Sequence, residues 1–124
     1  MTDYNGLPVA VDVVGGDNYL CGMAVRGTIA AQNEFGIPVI LVGDRDFIAL
    51  HTTDPSIATA HAGRVIEMNA KGLALGRAGS SMRVGFDLIN GGDSMALVSA
   101  GNSAGMVVNA SIALRQPNTQ RAGY

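Results

Sequence analysis

The chain has 124 residues, 48% hydrophobic and 5% aromatic with no Trp, a formal net charge of −2 and one cysteine. That length allows one domain, and the apolar content argues against disorder while leaving Val, Ile, Leu, Ala and Met to fill a core. Scattered basic residues leave no nucleic-acid footprint, Cys21 alone forms no intramolecular disulfide and fits a reducing, cytoplasmic compartment, and no apolar run approaches the roughly 20 residues of a membrane span.

Residues 1–7 read as a polar leader without the basic and apolar regions of a secretory signal, so the folded unit is expected over 8–124. Pro8 to Val14 is apolar and β-branched, a buried strand. Gly15-Gly16-Asp17-Asn18 turns into a helix from about Gly22 to Phe35, whose Met23, Val25, Ile29 and Ala30 form a loose apolar face. Gly36 ends that helix and Pro38 opens the next element. Ile37 to Val42 is a continuous apolar run, typical of a parallel strand covered on both faces. Gly43-Asp44 leads into a short helix, Arg45 to Leu50, and Asp54-Pro55 marks a turn. Ile57 to His61 is a weaker, alanine-rich strand.

Gly72, Gly76 and Gly79 interrupt Arg64 to Gly79, which reads as a mobile loop with a turn or two of helix. Ser80-Ser81 caps a helix to about Ile89, with Met82, Phe86 and Ile89 inward. Asn90-Gly91-Gly92-Asp93 is a turn, Met95 to Val98 a fourth strand, Asn102 to Leu114 the last helix, and Gln116 to Tyr124 a polar tail. Alternation of this kind predicts a three-layer α/β/α fold with a mostly parallel sheet of about four strands, and ligands beyond the carboxyl ends of the strands.

Two glycine-centred strand-to-helix turns are the main candidates for chemistry. At Gly15, Gly16, Asp17 and Asn18, glycine permits close backbone approach while Asp17 and Asn18 either hold a substrate or simply cap the helix. Ser99-Ala-Gly101-Asn102-Ser103 leaves amides open beside three hydrogen-bonding side chains, which suits a phosphate group and equally suits a capped helix packed on its sheet. Neither turn matches a dinucleotide fingerprint or a Walker loop. Ser80 and Ser81 form a third hydroxyl-rich helix start, with Arg83 nearby. His61 ends a strand at the ligand edge and is a candidate acid or base. His51 and His61 have no partners at metal-ligand spacing, so no metal site is expected.

Taken together, Val9-Ala-Val-Asp-x-x-Gly-Gly-Asp-Asn18, Ile40-Leu-Val-Gly-Asp44, His61-Ala, Val65-Ile-Glu-Met68, Ser80-Ser-Met-Arg-Val84 and Val98-Ser-Ala-Gly-Asn102 resemble the phosphate acyltransferases of bacterial phospholipid synthesis, the PlsX type. The resemblance runs from about Val9 to Arg121. It implies an isopropylmalate dehydrogenase-like α/β/α fold and transfer of an acyl group from acyl carrier protein to inorganic phosphate, yielding acyl phosphate without an organic cofactor. It also implies a cytoplasmic homodimer, often at the membrane surface. With that chemistry, Ser80-Ser81 and Ser99 to Ser103 are expected to grip phosphate, Gly15 to Asn18 to shape the thioester side, and His61 and Asn102 are the catalytic candidates. A non-catalytic phosphate-binding or regulatory remnant of the family is the alternative. The family's basic run before Ser-Ser-Met is reduced here to Arg77. Because the chain is shorter than the family, the strand Met95 to Ser99 is expected to leave an unpaired edge that favours a homo-oligomer.

Overall fold

The structure, a computed structural model, describes residues 6–16 and 21–114. The elements are β1 (Val9–Asp12), α1 (Met23–Phe35), β2 (Val39–Gly43), α2 (Arg45–His51), β3 (Ala58–His61), α3 (Ser81–Asn90), β4 (Ala96–Ser99) and α4 (Ser103–Ala113), with a 3₁₀ segment at Gly72–Gly76. The four strands are parallel, in the order β3-β2-β1-β4. Asp17 and Asn18 and the polar tail from Gln116 lie outside the described residues.

Strand alternation divides the core into two layers. Val11 and Leu41 pack with Val25 and Ile29 of α1 and Ile48 of α2 on one face. Ala10, Ile40, Val42 and Leu97 meet Val84 and Leu88 of α3 on the other. α3 approaches β4 closely, because a Cβ on Gly85 would lie 2.5 Å from Leu97 Cδ1. α4 packs on α3 and on the 3₁₀ segment. This is the expected α/β/α sandwich with four strands.

Local signals set most boundaries. Gly36, at φ +70°, closes α1 with its N–H on the Gln32 carbonyl, and Asp44, Ser80 and Asn102 cap α2, α3 and α4 through side-chain oxygens. The first strand is shorter than its apolar run because the Asp12 carboxylate takes the amides of Val14 and Gly15 and bends the chain. Met23 is 67% exposed, and the inward stripe of α1 is instead Val25 and Ile29. Met82 and Phe86 of α3 are buried as expected, whereas Ile89 is half-buried.

The segment 64–79 is more tied down than its glycines suggest. Arg64 bridges Ser80, and Ile66, Leu75 and Met82 form a third small core with Ala70, Met106 and Val108. Asn109 is fully buried in α4 and donates to the Leu75 carbonyl at 2.6 Å. At the far side of the sheet, β4 is the edge strand, as expected. Its Val98 is 55% exposed beside a groove of about 300 Å3 lined by Val9, Val11, Ala31, Phe35 and Val39, because α1 packs over β2 and leaves β4 uncovered.

Candidate functional site

The chain runs outward from β1 through β2 to β3, then returns to the other side of β1 as β4. The crevice between β1 and β4 is therefore the switch point where ligands of open parallel sheets bind. Both glycine turns meet there. Asp12 and Ser99 are register partners, and a Cβ on Gly101 would come within 3.4 Å of the Gly15 Cα. Gly16 is at φ +95°, with the Ala100 carbonyl 3.3 Å from the place its Cβ would take. The glycines let two turns pack backbone to backbone.

Four donors at this meeting point are already engaged by the protein: the amides of Val14, Gly15 and Gly101 and the Ser99 hydroxyl. Asp12, only 3% exposed, accepts from Val14 N at 3.1 Å and Gly15 N at 2.9 Å through Oδ1, and from the Ser99 hydroxyl at 2.8 Å through Oδ2. Ser99 Oγ in turn accepts from Gly101 N at 3.0 Å. A carboxylate thus occupies the position that open amides would offer to an anion, and it links the ends of β1 and β4. Ser103 is exposed at the start of α4.

Asn102 is equally committed. Its Oδ1 caps α4 by accepting from Gly105 N at 3.0 Å, and its Nδ2 donates to the carbonyls of Glu67, Met68 and Ala70 at 2.9–3.3 Å. At 5% exposure it acts as a clamp that holds the segment after β3 against α4.

Beyond that clamp lies a cavity of about 450 Å3, lined by Arg64, Ile66, Glu67, Ala70, Arg77 and Ser80 among others. Ser80 is fully buried, and its Oγ accepts from Arg83 N at 3.1 Å to cap α3. The hydroxyl of Ser81, also buried, has no hydrogen-bond partner among the described residues. Arg83 reaches away from a ligand role: Nη1 donates to the Gly76 carbonyl at 3.2 Å and Nε faces Asp87 at 3.8 Å.

His61 is exposed at the end of β3, and its Nδ1 accepts from Arg45 N at 3.0 Å, which leaves the ring proton on Nε2. Three strand spacings, roughly 14 Å, separate β3 from β4. The structure therefore brings Gly15, Gly16, Ser99, Gly101, Asn102 and Ser103 together and sets His61 apart on the side from which the Arg64 segment continues. Among the described residues there is no group of three or more His, Cys, Asp or Glu side chains able to hold a metal, and no helix is long and apolar enough to cross a membrane.

Sequence reading missed three residues that shape this end of the molecule. Asp12 carried a signal, since an Asp two and three residues before amides of a glycine turn suits an Asx turn. Asn109 stood out only as a polar residue in an apolar helix. Arg64 offered no local signal, because it reaches the cavity through the pairing of its segment with Ser80.

The strand order and the two helical layers define an open parallel α/β protein. Residues 7–120 match the family model described as "Fatty acid synthesis protein", and the chain belongs to that family. It is 45% identical over 112 residues to the phosphate acyltransferase of Geobacter sp. (strain M21) and 42% identical to that of Geobacter sulfurreducens, each match covering 81% of this chain and 32% of the relative. The phosphate acyltransferase of Anaeromyxobacter sp. (strain Fw109-5) is 41% identical over 118 residues, covering 89% of this chain and 32% of the relative. The chain spans about a third of the length of these relatives.

Proposed function

We propose that this chain forms the ligand-binding rim of an acyltransferase that passes an acyl group from an acyl carrier protein thioester to inorganic phosphate. The observation that carries the reading is the meeting of two glycine turns at the switch point of a chain 45% identical to a phosphate acyltransferase. In the reaction, a phosphate oxygen attacks the thioester carbonyl, the C–O bond forms, and the C–S bond breaks. The thiol leaves with a proton, and acyl phosphate is the other product. Phosphate is itself the nucleophile, so the protein's work is to position both reactants, exclude water and stabilise the tetrahedral oxyanion.

In this reading Gly15, Gly16, Gly101 and Ser103 shape the thioester side of the rim. Ser99 positions the turns through Asp12. Asn102 is a positioning residue that acts through the Glu67–Ala70 carbonyls, Ser80 faces the acceptor, and His61, set apart at the end of β3, takes no part at this rim. The reaction as written consumes only thioester and phosphate. The cytoplasm holds both, and phospholipid synthesis uses the product. The open edge of β4 and its apolar groove support association with a second copy, which sedimentation would show as a dimer.

The test uses the purified chain with a long-chain acyl carrier protein thioester and inorganic phosphate, trapping product with hydroxylamine. Thiol release that rises with phosphate and yields trapped acyl product is expected. Release indifferent to phosphate, or none, contradicts catalysis. Phosphate binding without any release selects the non-catalytic alternative.

A further inference from the structure

The two places that sequence marks as anion-binding differ in what they have left to offer. At the β1–β4 crevice, Asp12 holds two turn amides and the Ser99 hydroxyl, and Ser99 holds the Gly101 amide. A phosphate arriving there meets a carboxylate of its own sign. In the cavity after β3 the situation is reversed. Arg64 and Arg77 both line it, and among the described residues neither guanidinium makes a hydrogen bond or ion pair. Ser80 is buried at its wall, and its oxygen accepts one bond while its proton is donated in none. The adjacent Ser81 hydroxyl is buried without any partner among the described residues.

From this contrast we infer that the cavity bounded by Arg64, Arg77 and Ser80 is the seat of the phosphoryl acceptor, orthophosphate, and that the β1–β4 crevice is not. The inference rests on the acyl-transfer reading and assigns its second substrate a place. Two guanidinium groups supply paired donors suited to phosphate oxygens. The Ser80 hydroxyl adds a neutral donor at the start of α3, where the helix favours negative charge. Among the described residues Glu67 is the one carboxylate on the wall, so the arginines leave the lining net positive. Asn102 then gains a function: by holding the carbonyls of Glu67 and Ala70 it fixes one wall of the cavity without touching the ligand.

The experiment is an amide-resolved NMR titration of the full chain with inorganic phosphate, run on the natural sequence, Arg64→Ala, Arg77→Ala and the double variant. Arg26→Ala, which removes an equal charge from α1, controls for net charge. The largest shifts are expected at residues 64–67 and 77–82. Each arginine variant should weaken binding about tenfold, the double variant more, and Arg26→Ala by less than twofold. Shifts centred on Gly15, Gly16 and Ser103 with unchanged affinity in the arginine variants would overturn the assignment, as would the absence of saturable phosphate binding. A parallel titration with dimethyl phosphate separates free phosphate from an esterified phosphate on a carrier. Tighter binding of inorganic phosphate supports the assignment, and tighter binding of the diester overturns it. The underlying function fails separately: binding at the cavity with no phosphate-dependent acyl product rejects the transferase reading and keeps the site. Phosphate-dependent product with an unchanged phosphate KM in the double arginine variant does the reverse.

Discussion

The β1–β4 crevice and the cavity after β3 lie at the same end of one sheet, yet they use their polar groups in opposite ways. In the crevice, a buried aspartate gathers amides and a hydroxyl from two turns, so the hydrogen bonds hold the molecule together. In the cavity, two arginines and a serine proton have no partner among the described residues, and the wall is carried by distant clamps, Asn102 and Asn109. A glycine-rich turn records that two backbones approach closely. It becomes an anion site only if its amides are not already engaged.

Substitutions separate these roles, and the largest effect belongs to the crevice. Asp12→Ala strands two amides and the Ser99 hydroxyl in a buried place and should cost about 3 kcal/mol or more, read as a lower midpoint in urea denaturation. Asn102→Ala removes both a helix cap and the donor to three carbonyls, for about 2 kcal/mol, and should speed amide exchange over residues 64–76. Asn102→Ser keeps a capping oxygen too short to reach those carbonyls. It should recover about 1 kcal/mol of that loss while leaving exchange fast, which distinguishes the cap from the clamp. If Asn102→Ser also restores slow exchange, the clamp is not what holds the wall.

Arg64→Ala and Arg77→Ala sharpen the contrast from the other side. Both residues are exposed and make no ion pair among the described residues, so thermal or urea stability should change by less than about 0.5 kcal/mol. The smallest effect lies at a site unrelated to either region. The Ser56 hydroxyl and then its N–H hold the fully exposed Asp54 carboxyl below its ordinary value. The folded carboxyl is the stronger acid, so this support for the 54–57 turn is present at neutral pH and is lost as pH falls through the folded value. Ser56→Ala should move the Asp54 titration upward in an NMR pH series.

Much of the architecture was legible because local chemistry agreed with the global fold. Gly36 before Pro38, Asp44, Ser80 and Asn102 each mark a helix boundary through a backbone or side-chain bond that needs no distant partner. The inner strand β2 carries a continuous apolar run because helices pack on both its faces. What escaped sequence reading depends on residues far apart in the chain. The latch between Asp12 and Ser99 spans 87 positions, and the bond from Asn102 to the Glu67 carbonyl spans 35. Segment 64–79 looked loose because its glycines break a helix, but burial of Ile66 and Leu75 and the two asparagine clamps tie it to α4. The convergence of the turns follows from the strand order, which sets β4 beside β1, and neither that order nor Asp12's hold on the turn donors is written in any local stretch of sequence.

The contrast between a closed crevice and an open cavity is tested most directly by a crystal structure of the chain grown with inorganic phosphate. The account predicts a tetrahedral anion held between Arg64 and Arg77 within reach of the Ser80 hydroxyl, with Asp12 still bound to Val14, Gly15 and Ser99. An anion seated on the amides of Gly16 and Ser103, with the Asp12 carboxylate swung away, would contradict it.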